Sequence, residues 1–434
     1  MLTATHPNPP IPAISLQALV SNTLRFLYWS VLVALAGSIL FLLVIRSEQP
    51  GCASGQHYRY LAHALLHGRF AVDDLPPYTG DVVKAGGHTY VPMGPMPAIV
   101  LSPIIAVLRL FRLHFDGFEE PLACLGITFL SGLALNQLLQ HLGISEILRR
   151  RWLLALFFFG TVYFWLLVVG VSWHTASLLT VGFLLAAVSE ELGRKRYWLI
   201  GILMGAAFLS RVTAIFGMPF FLYLMWHERR LNARNILQLA AGLVPFFAFW
   251  AFYNYARFGN MLETGYSYAT LLGPGDILDR ARAYGLFSPL HIPKNLYMLL
   301  LATPQPVGGF AAPVLKFPYI QPSSWGMSIF LTTPAFVYAF RANWRDPRVF
   351  AAWLAVGSIL IPLLTYYGIG WSQFGYRYAL DFYPFLIIPT ALAINRRAGK
   401  RNRSLTRGQR TLIILCVLVN LWGAWVMYSG KIIL

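Results

Sequence analysis

Apolar runs near the length of a membrane-spanning helix recur along this chain, and they constrain its fold more than any other feature. A helix needs about 20 apolar residues to cross the hydrocarbon core of a bilayer. In lipid, only helices and closed barrels pair every backbone polar group internally. Charged residues make up 12% of the chain, against about 25% in soluble domains. The sequence therefore predicts an all-α, polytopic transmembrane bundle that forms a single domain over 1–434.

We predict about eleven spans, and one apolar segment, 96–113, is left out of that count. This segment is short, contains Pro97 and Pro103, and carries Arg109 and Arg112. If it crossed the membrane, the later basic clusters would no longer share a side with the basic residue before the first span. We therefore expect it to lie in the interface or to re-enter. The predicted spans are 26–46, 120–141, 152–171, 174–191, 197–210, 212–227, 236–255, 326–341, 349–368, 379–394 and 411–428.

Basic residues gather on one side of this predicted topology. The chain carries 34 Lys and Arg against 16 Asp and Glu, which gives a net charge of +18. More than half of the basic residues fall in the predicted inner segments, beginning with Arg25, as the positive-inside rule expects. The basic excess is thus a topology signal, and we expect no nucleic-acid partner. The run 395–410 is expected to be a solvated inner loop in contact with anionic lipid headgroups.

Two long polar loops fall on the other, extracytoplasmic side, at 47–119 and 256–325. Polar loops of this length belong at the surface, because lipid cannot satisfy their backbone. Apolar residues at helical spacing predict a surface helix over 57–68, and a second one is expected near 291–302. The first loop combines carboxylates, histidines, arginines and aromatic side chains, which a connector does not need. We therefore expect the chemistry in that loop.

Six stretches, in order along the chain, together resemble the GT-C superfamily of polyprenyl-phosphate-sugar glycosyltransferases. The similarity is to the protein O-mannosyltransferase-like branch, which includes the aminoarabinose transferases of lipid A. The ordered set is specific for the superfamily and says little about the substrate. The stretches are YRYLAHALLHGRF, GHTYVPMGPMPAIVLSP, GILMGAAFLSRVTAIFGMPF, NYARFGNMLETGY, SSWGMSIFLTTPA and FGYRYALDFYPFL.

The resemblance implies transfer of a sugar, with inversion, from a polyprenyl-phosphate carrier to a hydroxyl acceptor on a glycan, a lipid or a protein. It also implies a multi-pass protein of the bacterial inner membrane whose site faces the extracytoplasmic side. Such a reaction needs a carboxylate that takes the acceptor proton. It needs cationic or polar groups that hold the leaving phosphate, and a groove between helices for the prenyl chain.

The family usually carries an acidic residue just after its first span, where this chain has Gln56. Gln56 cannot act as a base, and we keep it as a substrate contact. Asp81 is the leading candidate for the base, because it precedes the GHTYVPMGP stretch. The other candidates for the base are Asp73, Asp74 and His57. The alternative for the three acids is a role as solvated loop residues or turn caps.

Arg377 and Arg211 are the candidates for binding the lipid phosphate. Arg377 lies in FGYRYALDF at the outer mouth of a helix, where a guanidinium can grip a phosphate through two hydrogen bonds. Its alternative is an ion pair with Asp381, four residues on. Arg211 closes a span at the outer face, and its alternative is snorkelling toward the headgroups. The other predicted substrate contacts are His174, Tyr90 and Tyr378, with a place in the interfacial aromatic belt as the alternative for the tyrosines.

His63 and His67 have the i, i+4 spacing that zinc ligands can adopt. Without a matching acid, we expect them to be ordinary residues of the surface helix. We predict that the protein needs no cofactor, and a divalent metal is the alternative.

Two other functions are kept open. A transporter or flippase for a lipid-linked sugar would show paired halves and ionisable groups at mid-membrane. The charges here collect at loop mouths instead, and no halves are visible. A non-catalytic relative that binds the lipid carrier without turnover is the other alternative, and Gln56 motivates it.

Overall fold

The structure is a computed structural model that describes residues 55–76, 79–113, 119–268, 277–309, 313–314, 316–370, 373–398 and 404–428. The predicted span 26–46 and Arg25 lie outside these residues. The α-helices are α1 (His57–Leu66), α2 (Met96–Leu110), α3 (Glu119–His141), α4 (Ile147–Phe159), α5 (Tyr163–Val169), α6 (Ser172–Leu192), α7 (Tyr197–Ser210), α8 (Met218–His227), α9 (Ala233–Phe258), α10 (Ile277–Arg282), α11 (Ile292–Leu300), α12 (Ile329–Thr332), α13 (Pro347–Thr365), α14 (Tyr383–Ala398) and α15 (Arg407–Tyr428).

Short 3₁₀ helices and two small hairpins complete the described secondary structure. The 3₁₀ helices are Val212–Gly217, Pro289–His291, Pro334–Arg341 and Arg377–Asp381. The antiparallel hairpins pair β1 (Val83–Ala85) with β2 (His88–Tyr90), and β3 (Gln305–Pro306) with β4 (Ile320–Gln321).

The chain is a multi-pass helical membrane protein. Five described helices, α3, α6, α9, α13 and α15, are long and apolar enough to cross a bilayer. Helices α4 and α5, which are bent by 58° relative to each other, would form a sixth span if they crossed the bilayer together as one broken helix. The remaining apolar helices are shorter than 18 residues. The all-α, polytopic fold is confirmed, and the count of about eleven spans stays a prediction.

The predicted span 152–171 is broken in the structure. Helix α4 ends at Phe159 and α5 begins at Tyr163 after a sharp bend. A bend leaves backbone carbonyls without their helical partners, and buried carbonyls must find others. The hydroxyl of Thr333 donates to the carbonyl of Gly160 at 2.9 Å. A side chain from a distant segment therefore completes the hydrogen bonding of the break.

The predicted span 326–341 is also broken, into α12 and the 3₁₀ helix Pro334–Arg341. Pro334 has no N–H, so it cannot continue the hydrogen bonding of an α-helix. The carbonyl of Thr332, freed by this break, accepts a hydrogen bond at 2.7 Å from the amide of Asn420 on α15. Pattern alone favoured a continuous helix here because the segment is apolar throughout.

The end of α13 is tied to the second outer loop. Asn295 on α11 is fully buried, and its amide donates to the carbonyls of Leu364 at 2.8 Å and Tyr366 at 2.7 Å. These carbonyls lie where α13 stops and would otherwise be unpaired. Helix α11 confirms that 291–302 contains a helix, and its position at the membrane surface stays a prediction. Its contact with α13 fixes the second loop over one end of the bundle.

Helices α1 and α2 pack against each other in the first loop. Helix α1 confirms the surface helix predicted over 57–68. Helix α2 occupies most of 96–113 and is 15 residues long. Leu101 and Ile105 face the protein, while Val107 and Leu110 are exposed apolar side chains. One buried face and one exposed apolar face suit a helix that rests in the membrane interface, which stays our prediction for this segment.

The hairpin β1–β2 holds the polar part of the first loop. Its strands are joined by Gly86 and Gly87, both with positive φ, as a tight two-residue turn requires. Val83 and Tyr90 pair across the strands and are buried, and Tyr90 packs edge-on against Phe258 with ring centroids 5.6 Å apart. The loop is therefore anchored to the end of α9 rather than extending freely into solvent.

Two groups of charged and polar side chains lie at opposite ends of the bundle. Helix α6 begins at Ser172 and has 21 residues, so its ends are about 30 Å apart. We call the end that carries Glu120, Ser172 and Asp381 the polar end. We call the opposite end the basic end, defined by Arg149, Lys195 and Arg396.

Side-chain contacts connect the loops of the basic end. Arg149 donates to Asn395 at 2.7 Å, and Arg150 donates to Asn136 on α3 at 3.0 Å. Lys195 pairs with Glu228, which joins the loops after α6 and α8. The clusters that the sequence placed on the inner side are thus neighbours in space. The positive-inside rule predicts that this end faces the cytoplasm.

Single cysteines at Lys84 and Arg230 test which end faces outward. Both side chains are exposed, so labelling depends on the side of the membrane and not on burial. With Cys52 replaced by serine, we expect Lys84→Cys to react with a membrane-impermeant thiol reagent on intact cells. Arg230→Cys should react only after permeabilisation. Labelling of Arg230→Cys in intact cells would reverse the assigned sides and overturn the interfacial position of 96–113.

Candidate active site

A buried carboxylate fixes the start of α1 at the polar end. Glu120 on α3 is fully buried, and its Oε1 accepts from the backbone N–H groups of Tyr58 at 2.9 Å and Arg59 at 3.1 Å. The hydroxyl of Ser172 donates to Oε2 at 2.8 Å. Free N–H groups at a helix start need such an acceptor, and Gln56 provides no side-chain cap. Glu120 thus clamps α1 to α3 and α6.

Sequence reasoning missed Glu120 because it assigned the residue to the outer boundary of a span. The available signal was the pair Glu119–Glu120 at the start of an apolar run, where a carboxylate usually interacts with its own helix N-terminus. The cap it gives to a different helix is a tertiary contact between residues 62 positions apart.

His57 is the first residue of α1 and positions the loop that precedes β1. It is fully buried, and its Nε2 donates to the carbonyl of Gly80 at 2.7 Å, because a carbonyl can only accept. The ring meets Trp173 edge-on at 5.2 Å between centroids. Burial lowers the pKa of His57 below its ordinary value. His57 therefore holds Gly80, and through it the next residue.

That next residue is Asp81, which is half-buried and has a left-handed backbone with φ of 54°. Asp and Asn adopt this conformation more readily than most residues. The side chain of Trp173 lies close enough to its carboxylate to lower the pKa. Burial raises the pKa of Asp81 above its ordinary value, although His57, Arg377 and Trp173 act in the opposite direction. A carboxylate held in this way is a stronger proton acceptor than one in water.

Arg377 lies close enough to Asp81 to influence its ionisation, and it also interacts with His174. The guanidinium is half-buried and lies over the ring of Tyr378, 5.4 Å from its centroid. Its Nε is shielded from solvent and has no hydrogen-bond partner among the described residues. No carboxylate of the described chain forms an ion pair with it. A half-buried cation in this state is suited to an anionic ligand.

The ion pair considered for Arg377 with Asp381 belongs to Arg211 instead. Arg211 donates from Nε to Asp381 at 2.7 Å and from Nη2 at 3.1 Å, and Thr213 donates to the same carboxylate. Residues four apart share a face in an α-helix, but 377–381 is a 3₁₀ helix with about three residues per turn. Asp381 therefore faces away from Arg377. Arg211 is thus paired with Asp381, and the phosphate contact predicted for it stays a prediction.

Three tyrosines lie in the region of Asp81 and Arg377. Tyr378 contacts both arginines, because the guanidinium of Arg211 is 5.2 Å from the centroid of the same ring. Tyr266 comes from the second outer loop and Tyr367 follows the end of α13. Both lie close enough to Asp81 to interact with its charge. The aromatic neighbours therefore come from chain segments far apart in sequence. Rings with hydroxyl groups suit a sugar, which offers apolar faces and polar edges.

Buried polar atoms without partners collect in this region. Besides Arg377 Nε, the hydroxyls of Tyr58 and Tyr376 are buried and make no hydrogen bond within the described residues. Both tyrosines lie near Arg211. Buried polar groups are usually satisfied, and each exception requires an explanation. A polar ligand at the polar end would supply the partners.

The remaining predicted site residues differ in their burial and in their contacts. Asp73 accepts from the backbone N–H of Thr89 at 2.8 Å and from His88 Nδ1 at 2.9 Å, and these bonds lower its pKa below the ordinary value. Asp73 is thus a cap of the hairpin. Asp74 is highly exposed and 3.6 Å from Arg69. Tyr90 packs into the hairpin core, whereas Gln56 and His174 are buried near His57 and Arg377 respectively.

The two histidines considered as metal ligands make other contacts. His63 Nδ1 contacts Arg109, and His67 Nδ1 bonds to the carbonyl of His63 at 2.7 Å. Within the described residues, no group of three or more His, Cys, Asp or Glu side chains is placed to hold a metal ion.

No protein-family model matches this sequence, and no curated protein matches it significantly. Among solved structures, the chain is similar to the oligosaccharyltransferase of Archaeoglobus fulgidus in the apo form, with 12% identity over 93% of this chain and a TM-score of 0.46. It is also similar to the same enzyme tethered to an acceptor peptide with an NVT sequon, at 13% identity over 93% of this chain and a TM-score of 0.47. The chain spans 56% and 55% of those chains, a little over half their length.

A third similar structure is ArnT from Cupriavidus metallidurans bound to undecaprenyl phosphate. The identity is 15%, the match covers 85% of this chain and 60% of that chain, and the TM-score is 0.43. At these identities and TM-scores the similarity is one of overall chain course, and the activity of this chain has to be inferred from its own residues.

The raised pKa of Asp81 predicts how its removal changes stability. Below the unfolded pKa of about 3.9, Asp81 is protonated in both states and has no effect. As pH rises through the raised folded pKa, the unfolded state ionises first, so ionisation of Asp81 destabilises the native state. Asp81→Asn stays neutral and tolerates positive φ. We expect its apparent melting temperature in detergent at pH 7.5 to equal or exceed that of the wild type.

The matched comparison is Asp73→Asn, because the folded pKa of Asp73 is lowered. Ionised Asp73 stabilises the native state above its unfolded pKa, so this variant should melt lower at pH 7.5 and approach the wild type at acidic pH. A clear loss of stability in Asp81→Asn at pH 7.5 would show that the Asp81 carboxylate serves the fold rather than a site.

Proposed function

We propose that this protein is a membrane glycosyltransferase. It transfers a sugar from a polyprenyl-phosphate carrier to a hydroxyl acceptor at the polar end of the bundle, with inversion at the anomeric carbon. The observation that carries this proposal is the arrangement of Asp81 and Arg377. A half-buried carboxylate with a raised pKa lies near a half-buried guanidinium that has no ion-pair partner in the described chain.

Asp81 would act as the general base. The acceptor hydroxyl gives its proton to the carboxylate while its oxygen forms a bond to the anomeric carbon. The bond from that carbon to the phosphate oxygen breaks, and polyprenyl phosphate leaves with the electron pair. Partial burial of Asp81 strengthens it as an acceptor. Because inversion requires attack opposite the leaving group, base and phosphate must lie on different sides of the sugar.

Arg377 would bind the leaving phosphate. The charge on the phosphate increases as the bond to the sugar breaks, so a preorganised guanidinium stabilises the transition state more than the bound donor. Arg211 would support this site, because it is bound to Asp381 and contacts the same tyrosine ring as Arg377. The tyrosine rings beside Asp81 are placed to contact the sugar.

The polar end is assigned to the extracytoplasmic side of a bacterial inner membrane. The support is the opposite position of the basic end, which the positive-inside rule places in the cytoplasm. The donor and the acceptor, which could be a glycan, a lipid or a protein, would therefore meet outside. No cofactor enters this proposal, since the carboxylate and the guanidinium carry out both parts of the chemistry.

Release of polyprenyl phosphate tests the function. Purified protein is incubated with a polyprenyl-phosphate sugar and a hydroxyl acceptor, and free polyprenyl phosphate is measured with time. Release that depends on the acceptor supports transfer. Binding of the donor without release identifies a non-catalytic carrier-binding protein, and movement of intact donor across a vesicle membrane identifies a transporter.

Asp81→Asn tests the base. The variant keeps the shape and the backbone conformation but cannot accept a proton, so turnover should fall by about 10²–10⁴ while donor affinity is nearly unchanged. The measurement is the rate of polyprenyl phosphate release at saturating donor, together with the dissociation constant of the donor.

The controls are Asp73→Asn, Asp74→Asn and His57→Gln. The first two acids are a hairpin cap and an exposed residue, so both variants should remain active at a temperature where they are folded. His57→Gln should lower turnover less than Asp81→Asn, because His57 acts by holding Gly80. Normal turnover in Asp81→Asn with loss of turnover in Asp74→Asn would assign the general base to Asp74 instead. Full activity in all four variants would show that no residue of this loop acts as a general base.

Arg377→Ala tests phosphate binding. Hydrogen bonds to charged groups contribute about 1.5–3 kcal/mol each, so donor affinity should fall about tenfold to a hundredfold. Arg377→Lys should restore only part of it, because lysine lacks the planar fork. Affinity is measured by titration with the carrier, polyprenyl phosphate, alone. This separates the contribution of the phosphate from that of the sugar.

The contrasting variant is Arg211→Ala. It leaves the fully buried Asp381 without its cation, and breaking a buried pair in this way costs about 3–5 kcal/mol of stability. We therefore expect Arg211→Ala to lower the melting temperature and Arg377→Ala to leave it nearly unchanged. Unchanged carrier affinity in a folded Arg377→Ala protein would remove Arg377 from the phosphate site.

A further inference from the structure

A second charged cavity lies at the basic end, about 30 Å from the candidate active site by the length of α6. It has a volume of about 430 Å³ and is formed where the start of α4, the loop before α13 and the end of α14 meet. Arg149, Arg341 and Arg396 line it from these three segments. The reaction proposed above uses none of these residues.

The cavity has a positive charge that its own carboxylate does not cancel. Asp346 is the lining acid, and Arg348, which does not line the cavity, already binds both of its oxygens at 3.0 Å and 2.7 Å. Arg149 is buried and held by Asn395 at 2.7 Å, whereas Arg341 and Arg396 are exposed. Three guanidinium groups thus converge from separate elements, and this arrangement suits a phosphate group.

One wall of the cavity is apolar, and Asn343 and Asn395 complete the lining. Ala342, Val349 and Ala393 form a small buried cluster there, with Leu392 packed against it. A site for a free anion needs no apolar wall, whereas a lipid brings a phosphate and the first carbons of its chains together. The wall therefore favours a lipid over a soluble anion.

Aromatic side chains place the cavity at the level of the lipid headgroups. Trp344 follows the lining residue Asn343, is 50% exposed, and stacks on Trp353 at 5.4 Å between centroids. Tryptophan concentrates at membrane–water interfaces, where its ring meets the headgroups. Basic pockets between helices on the cytoplasmic side are suited to acidic lipid headgroups.

We propose that this cavity binds the phosphate headgroup of an anionic membrane lipid, with the lipid's glycerol region against the apolar wall. The occupant is part of the surrounding bilayer and is distinct from the carrier lipid at the polar end. It would join α4, α13 and α14 at the end of the bundle where the arginines otherwise repel one another.

The test compares two double variants with the same change in net charge. Arg341→Gln with Arg396→Gln removes two lining arginines, and Arg345→Gln with Arg397→Gln removes two exposed arginines that flank them without lining the cavity. Full-length protein in uncharged detergent is titrated with short-chain phosphatidylglycerol, phosphatidylcholine or inorganic phosphate. The increase in melting temperature gives the apparent affinity for each.

Phosphatidylglycerol should stabilise the wild type and the flanking variant alike. Its apparent affinity for the lining variant should be lower by tenfold or more, because each arginine near an anionic lipid contributes roughly a factor of five. Phosphatidylcholine should have little effect in all three proteins. If the double lining variant does not fold, Arg396→Gln alone should still lower the affinity by roughly that factor of five.

Two results would overturn the proposal. An equal loss of affinity in the lining and flanking variants would mean that the lipid is attracted by surface charge without a site. Equal stabilisation of the wild type by inorganic phosphate at the same concentration would assign the cavity to a small anion rather than a lipid. Neither result would bear on sugar transfer, which is measured at the opposite end of the molecule.

Discussion

Lipid provides no hydrogen-bond partner for a broken helix, and this constraint governs how the bundle is assembled. Each break in a buried helix leaves carbonyls that a side chain from elsewhere must satisfy. Thr333 donates to the carbonyl of Gly160 between α4 and α5. In the same way, Asn420 donates to the carbonyl of Thr332 after α12, and Asn295 donates to that of Leu364 at the end of α13. These three buried polar residues are therefore cross-links between chain segments. Because they fix the helix ends, they also fix the residues that those ends present.

The candidate active site depends on these fixed ends. Glu120 holds the start of α1 against α3 and α6, so that His57 and Trp173 come together around the loop with Asp81. Arg377 approaches from a segment almost 300 residues later in the chain. No local segment contains both the base and the cation that the proposed reaction needs.

The two arginines at the polar end illustrate how context sets the role of identical side chains. Arg211 faces a fully buried carboxylate, and the buried pair stabilises the junction of two helices. Arg377 faces a half-buried carboxylate without forming an ion pair, so both groups remain available to a ligand. The basic end repeats the contrast, since Arg348 is committed to Asp346 while three lining arginines are not. At the polar end, the unpaired guanidinium of Arg377 indicates where an anion fits.

Several features of this protein followed from the sequence alone. Apolar length and helical spacing predicted a polytopic helical bundle and the two helices now seen as α1 and α11, because these properties depend on neighbours along the chain. Clustering of basic residues predicted which loops share an end, and the contacts of Arg149 and Lys195 agree with it. The first loop was singled out as the segment with the candidate acids and Asp81 as the leading one, and this choice stays a prediction.

Only the tertiary structure decided which polar groups meet. Asp73 caps the hairpin by accepting from Thr89, and Asp381 pairs with Arg211 rather than with Arg377. Glu120 caps the start of α1, where Gln56 provides no side-chain cap. The breaks at Gly160 and Pro334 were also hidden, because an apolar run looks alike whether it is straight or bent. The physical reason is common to all of them. Hydrophobic burial is roughly proportional to apolar area and can be read from composition, whereas a hydrogen bond or an ion pair requires its two atoms within about 3 Å, and only folding determines which atoms these are.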